Sequence, residues 1–163
     1  MTWVLDASFL LRLAGAEGDE VADRVRAANA LLRVRGEVLA PVLLWYEVAQ
    51  VLHRSERRRG RPLPECKRLA IQLLRGIEPV AAADGDMDLI GTFVDQYGLT
   101  AYDASYLVLA KTHPHGILVT LDKDLLAAAL QELGPERAFD LDGLERHLAK
   151  PAPPPWRPPA PLK

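Results

Sequence analysis

Four acidic residues stand where a carboxylate is expensive. Asp6 closes the apolar run Thr2 to Leu5, and Asp122 follows the apolar run Ile117 to Thr120. Glu47 shares the spacing i, i+3, i+4, i+7 with Leu44, Val48 and Val51, the stripe by which a helix faces a core. Asp103 shares the same spacing with Tyr106, Leu107 and Ala110. An ionised carboxylate on such a face is costly unless a cation or several hydrogen bonds compensate it. If the fold gathers all four, each close pair repels by on the order of 4 kcal/mol at about 4 Å and an effective dielectric near 20. Divalent cations would offset that repulsion, and an all-oxygen cluster selects hard ions, magnesium or manganese, over zinc or copper. Each acid also has a plainer reading. Asp6 and Asp122 suit helix N-caps, Asp103 a cap or first-turn position, and Glu47 a basic partner.

The elements that would position these acids alternate along the chain. Short apolar strands are expected at Thr2–Leu5, Val38–Ala40, Ile77–Val80, Gly116–Thr120 and Ala138–Leu141. Helical periodicity marks Ala7–Leu13, Glu17–Val34, Leu43–Arg59, Glu65–Arg75, Asp84–Tyr97, Tyr102–Lys111, Asp122–Leu133 and Asp142–Ala149. Glycines at 36, 76, 98 and 134 supply stops. Such alternation predicts an α/β fold, doubly wound, with a central parallel sheet of four or five short strands buried by helices on both faces. Ligands of such sheets bind beyond the carboxyl ends of the strands, which is where Asp6 and Asp122 fall. Residues 1–150 form one domain in this reading. Pro151 to Lys163, mostly proline and alanine around Trp156, form a flexible tail of extended polyproline character.

Composition narrows the function classes. At 163 residues the chain holds one core, and 49% apolar with 26% charged residues excludes a disordered or collagen-like protein. No apolar run reaches bilayer length and no secretory signal opens the chain, so a cytoplasmic address and no membrane partner are expected. The single cysteine, Cys66, removes cysteine-based zinc frameworks, and none of the four histidines shows metal-ligand spacing. The net charge of -2 neither advertises nor forbids a polyanionic partner, yet arginines bunch at Arg54, Arg57, Arg58, Arg59 and Arg61.

The segments Val4-Leu5-Asp6-Ala7-Ser8, Trp45-Tyr46-Glu47-Val48-Ala49, Thr100-Ala101-Tyr102-Asp103-Ala104-Ser105-Tyr106 and Leu118-Val119-Thr120-Leu121-Asp122-Lys123-Asp124 resemble, in order and spacing, the acidic motifs of PIN-domain ribonucleases. The likeness extends to VapC-type toxins of toxin–antitoxin pairs and covers roughly Met1 to Lys150. It implies a three-layer PIN-like fold and an endoribonuclease dependent on Mg2+ or Mn2+. Asp6, Glu47, Asp103 and Asp122 match the metal-binding and catalytic acids, and Asp124 is an alternative or a support to Asp122. Ser8 and Thr120 match hydroxyl positions beside them, with helix capping or backbone satisfaction as their plainer role. The resemblance further implies an RNA substrate, a cognate antitoxin covering the acidic rim, and a homodimer.

An acidic rim repels RNA, so phosphate contacts must come from elsewhere. Arg54, Arg57, Arg58, Arg59 and Arg61, at the C-terminal end of the Glu47 helix, are the candidates, with Lys123 a further one. Their plainer reading is a solvated helix end that complements the dipole. Trp45 and Tyr46 suit either base stacking or core packing. Two other readings compete: a non-catalytic RNA-binding or regulatory module on the same fold, and a flavodoxin-like receiver domain, which would want an acid after the third strand where Ala81 to Ala83 stand.

Overall fold

The computed structural model describes residues 1–14, 22–60 and 62–150. Strand β1 (Thr2–Leu5) runs through the middle of the molecule with all four residues buried. It is followed by α1 (Ala7–Leu13), α2 (Ala22–Arg35), β2 (Glu37–Pro41), α3 (Leu44–Arg59), α4 (Pro64–Leu74) and β3 (Glu78–Val80). Then come α5 (Asp86–Tyr97), α6 (Ala101–Thr112), β4 (Gly116–Val119), α7 (Lys123–Leu133), β5 (Ala138–Phe139) and α8 (Leu141–Ala149). The five strands pair in the order β3-β2-β1-β4-β5, and every pairing is parallel. Helices α1, α2, α3, α4 and α8 contact one another on one side, and α5, α6 and α7 pack together on the other. The result is the three-layer α/β sandwich that the alternation of elements predicts. This strand order differs from the flavodoxin-like order and removes the receiver-domain reading.

The layers follow from chain handedness. Right-handed crossovers from β1 to β2 and β2 to β3 step across the sheet in one direction and lay their helices on one face. The crossover from β3 to β4 returns past β1 and lays α5 and α6 on the other. The chain therefore reverses direction between β1 and β4, and a crevice opens at their carboxyl ends. Both strands end in apolar residues because both faces are covered: Val4, Leu5, Leu118 and Val119 are wholly buried. Pro79 lies in β3, which explains why that strand is short and stands at an edge, where a missing N–H costs no ladder bond.

Several boundaries move by one or two residues from the sequence reading. Ile77 is buried but precedes β3, Thr120 follows β4, and α8 already begins at Leu141. The first part of the expected helix from Glu17, the residue Arg61 and the tail from Pro151 lie outside the described residues. On α3 the buried stripe is Leu44, Val48, Leu52 and Ser55. Glu47 and Val51 sit on its half-buried shoulder rather than within it, because the helix faces the sheet four residues per step along that row.

The register of β4 depends on a close approach to α6. A Cβ at Gly116 would lie 2.5 Å from the Ala110 carbonyl oxygen, and Arg137 ties both carbonyls, Nε to Gly116 O at 2.8 Å and Nη2 to Ala110 O at 2.5 Å. Gly116→Ala is expected to cost about 1–3 kcal/mol through backbone displacement. Urea unfolding checks this, and an unchanged midpoint would contradict the packing described.

Candidate active site

Asp6 leaves β1 at the crevice and is only 3% exposed. It stands at the N-cap position of α1, yet its main partners are hydroxyls rather than helix N–H groups. Ser8 Oγ donates to Asp6 Oδ2, and Thr120 Oγ1 donates to the same oxygen at 2.7 Å. Each hydroxyl also accepts from the loop after β4: Leu121 N–H reaches Ser8 Oγ at 2.9 Å, and Asp122 N–H reaches Thr120 Oγ1 at 2.9 Å. The two side chains thus stitch the end of β1 to the end of β4. The two hydroxyls satisfy backbone groups, their plainer role, and also donate to the Asp6 carboxylate.

Glu47 comes from the other side of the rim, in the first turn of α3. Its Oε2 accepts a 2.5 Å hydrogen bond from the hydroxyl of Tyr106 on α6. This bond joins the two helical layers over the edge of the sheet, across 59 residues of chain. Tyr106 is fully buried. Its stripe position reads as core packing in the sequence, so its polar role was missed; the usable signal was a tyrosine, in place of phenylalanine or leucine, at a position that must bury its hydroxyl.

Asp103 sits half-buried in the first turn of α6. Gly98, in the left-handed conformation at φ +66°, ends α5 and drops the chain to Thr100, which caps α6. Thr100 Oγ1 accepts from Asp103 N–H at 3.1 Å and donates to Asp103 Oδ2 at 2.6 Å, a reciprocal box that fixes the carboxylate. Asp122 is exposed and caps α7, its Oδ1 accepting from the N–H groups of Asp124 and Leu125 at 2.9 Å each. The capping role therefore holds for Asp122 and not for Asp6. Asp124 and Lys123 are exposed on the first turn of α7.

Asp6, Glu47 and Asp103 act on one another electrostatically. Burial is the main cause that raises the Asp6 carboxyl above the ordinary range; the two hydroxyl bonds oppose it and the charge of Asp103 adds to it. Burial pushes Glu47 up to about 7, against the Tyr106 bond and with help from Asp6 and Asp103. Among the described residues no basic side chain contributes to the charges that shape either group, so the basic partner considered for Glu47 is not found there. Asp122 is tied to this region only through its backbone N–H on the Thr120 hydroxyl; its carboxylate is engaged at the helix end and is not among the charges that shape Asp6 or Glu47. Among the described residues, no three acids stand close enough to form a finished metal cage as their side chains lie.

The chain matches the model of the PIN domain over residues 3–130. It belongs to the PIN-domain family. The crystal structure of PAE2754 from Pyrobaculum aerophilum is similar over 91% of this chain and 90% of that one, with 27% sequence identity and a TM-score of 0.68. No curated protein matches significantly. The PIN domain is a nuclease-type fold whose members generally depend on divalent metals and act on RNA, and the acidic crevice of this PIN domain lies where the topology of its sheet places a ligand. Among the described residues no helix is long and apolar enough to cross a membrane.

The surroundings of this PIN-domain crevice differ on its two sides. Arg54, Arg57, Arg58 and Arg59 are exposed on α3, and Arg54, Arg57 and Arg58 line one shallow surface hollow with Val51. Arg54 and Arg58 are seven and eleven residues beyond Glu47, so they lie on its side of the helix, roughly 10 and 16 Å along the axis. Tyr46 is 71% exposed, which sets aside the packing reading for that residue. Trp45 is 41% exposed and lines a separate groove between α3 and α4 with Leu52 and Ile71.

The raised carboxyls make a signed prediction. A group whose pKa is higher folded than unfolded holds its proton longer in the native state, so stability falls as pH rises between those values. For Glu47 the window runs from 4.5 to about 7. His147, held below 6.5 mainly by burial, acts in the opposite sense, so the comparison must be made against Glu47→Gln. In the presence of chelator the variant is expected to melt close to the wild type at pH 5 and about 3–6 °C above it at pH 7.5. Thermal melts at the two values check this, and a gap that does not widen with pH would contradict it.

Proposed function

We propose that this chain is a metal-dependent endoribonuclease, the toxin of a toxin–antitoxin pair, which hydrolyses RNA phosphodiesters with an activated water. The observation that carries the reading is that Asp6, Glu47 and Asp103, from three different elements, act on one another near the topological switch point. Beyond the effect of burial, the charge of Asp103 raises Asp6 and the charges of both raise Glu47, with no basic side chain of the described residues among the groups that shape Asp6 or Glu47. The donor set fits a hard divalent ion in kind: every candidate ligand is a carboxylate oxygen, and the mutual repulsion is of the sort a cation relieves. Mg2+ or Mn2+ bound here supplies Lewis acidity, acidifying water and offsetting charge that develops on the phosphate.

The residues divide that work by what already occupies their oxygens. Both hydroxyls near Asp6 go to Oδ2, and Thr100 takes Oδ2 of Asp103, so each acid has its other oxygen outside these bonds for an ion. Tyr106 occupies Oε2 of Glu47 and orients the carboxylate, which suits Glu47 to accept a proton from the attacking water or to complete the ligand set. Of the two acids we assign the fourth ligand position to Asp122, through Oδ2, because its N–H bonds the Thr120 hydroxyl that itself donates to Asp6. Asp124 is tied to the site only through its own N–H on Asp122 and acts as a support. Ser8 and Thr120 hold the first acid in place. Arg54, Arg57, Arg58, Arg59 and Lys123 take the phosphates that the acidic rim repels. Arg61 belongs to the same basic run. Domain 1–150 carries the whole site, with residues 151–163 outside it. A cognate antitoxin covers the rim and the chain works as a homodimer, readings that rest on the VapC-like order of the four acidic motifs.

Asp6→Asn and Asp103→Asn are expected to lower kcat for RNA cleavage by at least about 10²-fold, and EDTA to abolish cleavage with recovery on adding Mg2+ or Mn2+. Asp6→Asn keeps an acceptor for both hydroxyls while removing a desolvated charge, so its melting temperature at pH 7.5 should equal or exceed that of the wild type. A stable variant that still cuts RNA at the wild-type rate, or RNA binding with no cleavage under any metal, would leave the non-catalytic module as the better reading. Arg54→Ala and Arg58→Ala are expected to weaken RNA binding uniformly across sequences and each to reduce the slope of log K against log salt by about 1. Anisotropy titrations at several salt concentrations check this.

A further inference from the structure

An apolar groove of about 460 Å³ lies beside the acids, at the carboxyl ends of β2 and β3 where α5 and α6 meet them. Val42, Leu43, Val80, Met87, Ile90 and Tyr102 are among the residues that line it. Its size falls within the range of small-ligand sites, about 300–1,000 Å³. It is uncovered: Met87 is 70% exposed and Tyr102 50% exposed. It also adjoins the site, since Tyr102 immediately precedes Asp103 and Leu43 stands one helical turn before Glu47. We infer that this groove receives an unstacked nucleobase of the RNA next to the phosphate held at the acids, with Tyr102 as the ring on which that base stacks; the inference rests on the nuclease reading.

Charge selects the occupant. No basic side chain lines the groove, and its own carboxylate, Asp86, is engaged with the Ala83 N–H at 2.7 Å. The Ser105 hydroxyl is spent on the Tyr102 carbonyl at 2.6 Å. A phosphate would find no cationic donor there, only the Tyr102 hydroxyl, and would meet Asp103 at the rim. The face of a base is uncharged and apolar, and its exocyclic amino groups are compatible with an acidic rim. A strand that places one phosphate among the carboxylates, and others on the arginines of α3, thus has a neutral surface on which to lay the base from the opposite side. This division assigns affinity to the arginines and base preference to the groove.

The test is equilibrium binding of the full chain, at low salt with Ca2+ as the hard cation in place of Mg2+ or Mn2+, to a set of single-stranded RNA oligonucleotides each carrying one abasic nucleotide. The wild type should lose roughly tenfold or more in affinity when the abasic nucleotide occupies one particular position. Tyr102→Ala should bind natural RNA with that lower affinity and be indifferent to the abasic substitution there. Tyr102→Phe should behave as the wild type, and Met87→Ser, on the other wall, should lose part of the effect. Equal losses by Tyr102→Ala on natural and abasic RNA, or no loss at all, would overturn the assignment. A change in oligomeric state on Tyr102→Ala that accounts for the loss would instead assign the groove to a second copy of the chain and also overturn it. Addition of Mg2+ or Mn2+ then separates the two readings. Abasic sensitivity that vanishes in Tyr102→Ala without any cleavage sinks the nuclease reading and keeps the groove. Cleavage that is blind to Tyr102 sinks the groove alone.

Discussion

Everything at the rim of this molecule depends on one electrostatic conflict. Asp6 is almost wholly removed from water at the end of the central strand, within reach of the charges of Asp103 and Glu47, and no basic group comes to its aid. Burial alone would make such a carboxylate costly to keep ionised, and its neighbours add to the cost. The fold answers with hydroxyls rather than cations. Ser8 and Thr120 donate to the acid and accept backbone N–H groups from the facing loop, so the same two side chains that steady the charge also lock β1 to β4. The conflict is left partly unresolved, since both Asp6 and Glu47 stay raised above the ordinary carboxyl range.

Two layers of helices meet over the sheet at this point, and the meeting is polar. The bond between Tyr106 and Glu47 is the link from the α3 side to the α6 side across the crevice. Because the ring of Tyr106 is packed in the core, its hydroxyl is fixed in space, and Glu47 is held by a rigid donor instead of a mobile side chain. Asp103 is fixed by different means, through the box that Thr100 builds at the start of α6. Each acid of the site therefore has its own short-range support, and precision at the rim is not left to long flexible side chains.

The crevice also divides the surface around it. Arginines extend along α3 on one side, and an uncovered apolar groove with an aromatic wall lies on the other. A polyanion cannot lie across acids without help, and the two flanks offer the two kinds of help that a nucleic acid strand can use, one for its phosphates and one for its bases. The arginines belong to α3, which brings Glu47, and the groove is shared by α5, α6 and the ends of β2 and β3, with Tyr102 of α6 next to Asp103.

The alternation of apolar runs with helical stripes was enough to read the α/β class, the parallel sheet and nearly every element, because burial of a strand on both faces and of a helix on one face leaves periodic marks in composition. It was also enough to single out Asp6, Glu47, Asp103 and Asp122, since a carboxylate at the end or edge of an apolar run is locally anomalous. Sequence left three things undecided, and all depend on contacts between residues far apart in the chain. Local spacing cannot tell a cap from a buried acid: Asp6 and Asp122 look alike in sequence, and only the path of the chain sends one beneath two hydroxyls and the other to the surface of α7. A stripe does not report its own shoulder, so Glu47 and Val51 read as core until the packing of α3 against α1 and α4 buried Leu44, Val48, Leu52 and Ser55 instead. Tyr106 read as filler because its hydroxyl acquires a partner only when α3 and α6 cross the rim from opposite layers, a juxtaposition made by the reversal of strand order between β1 and β4.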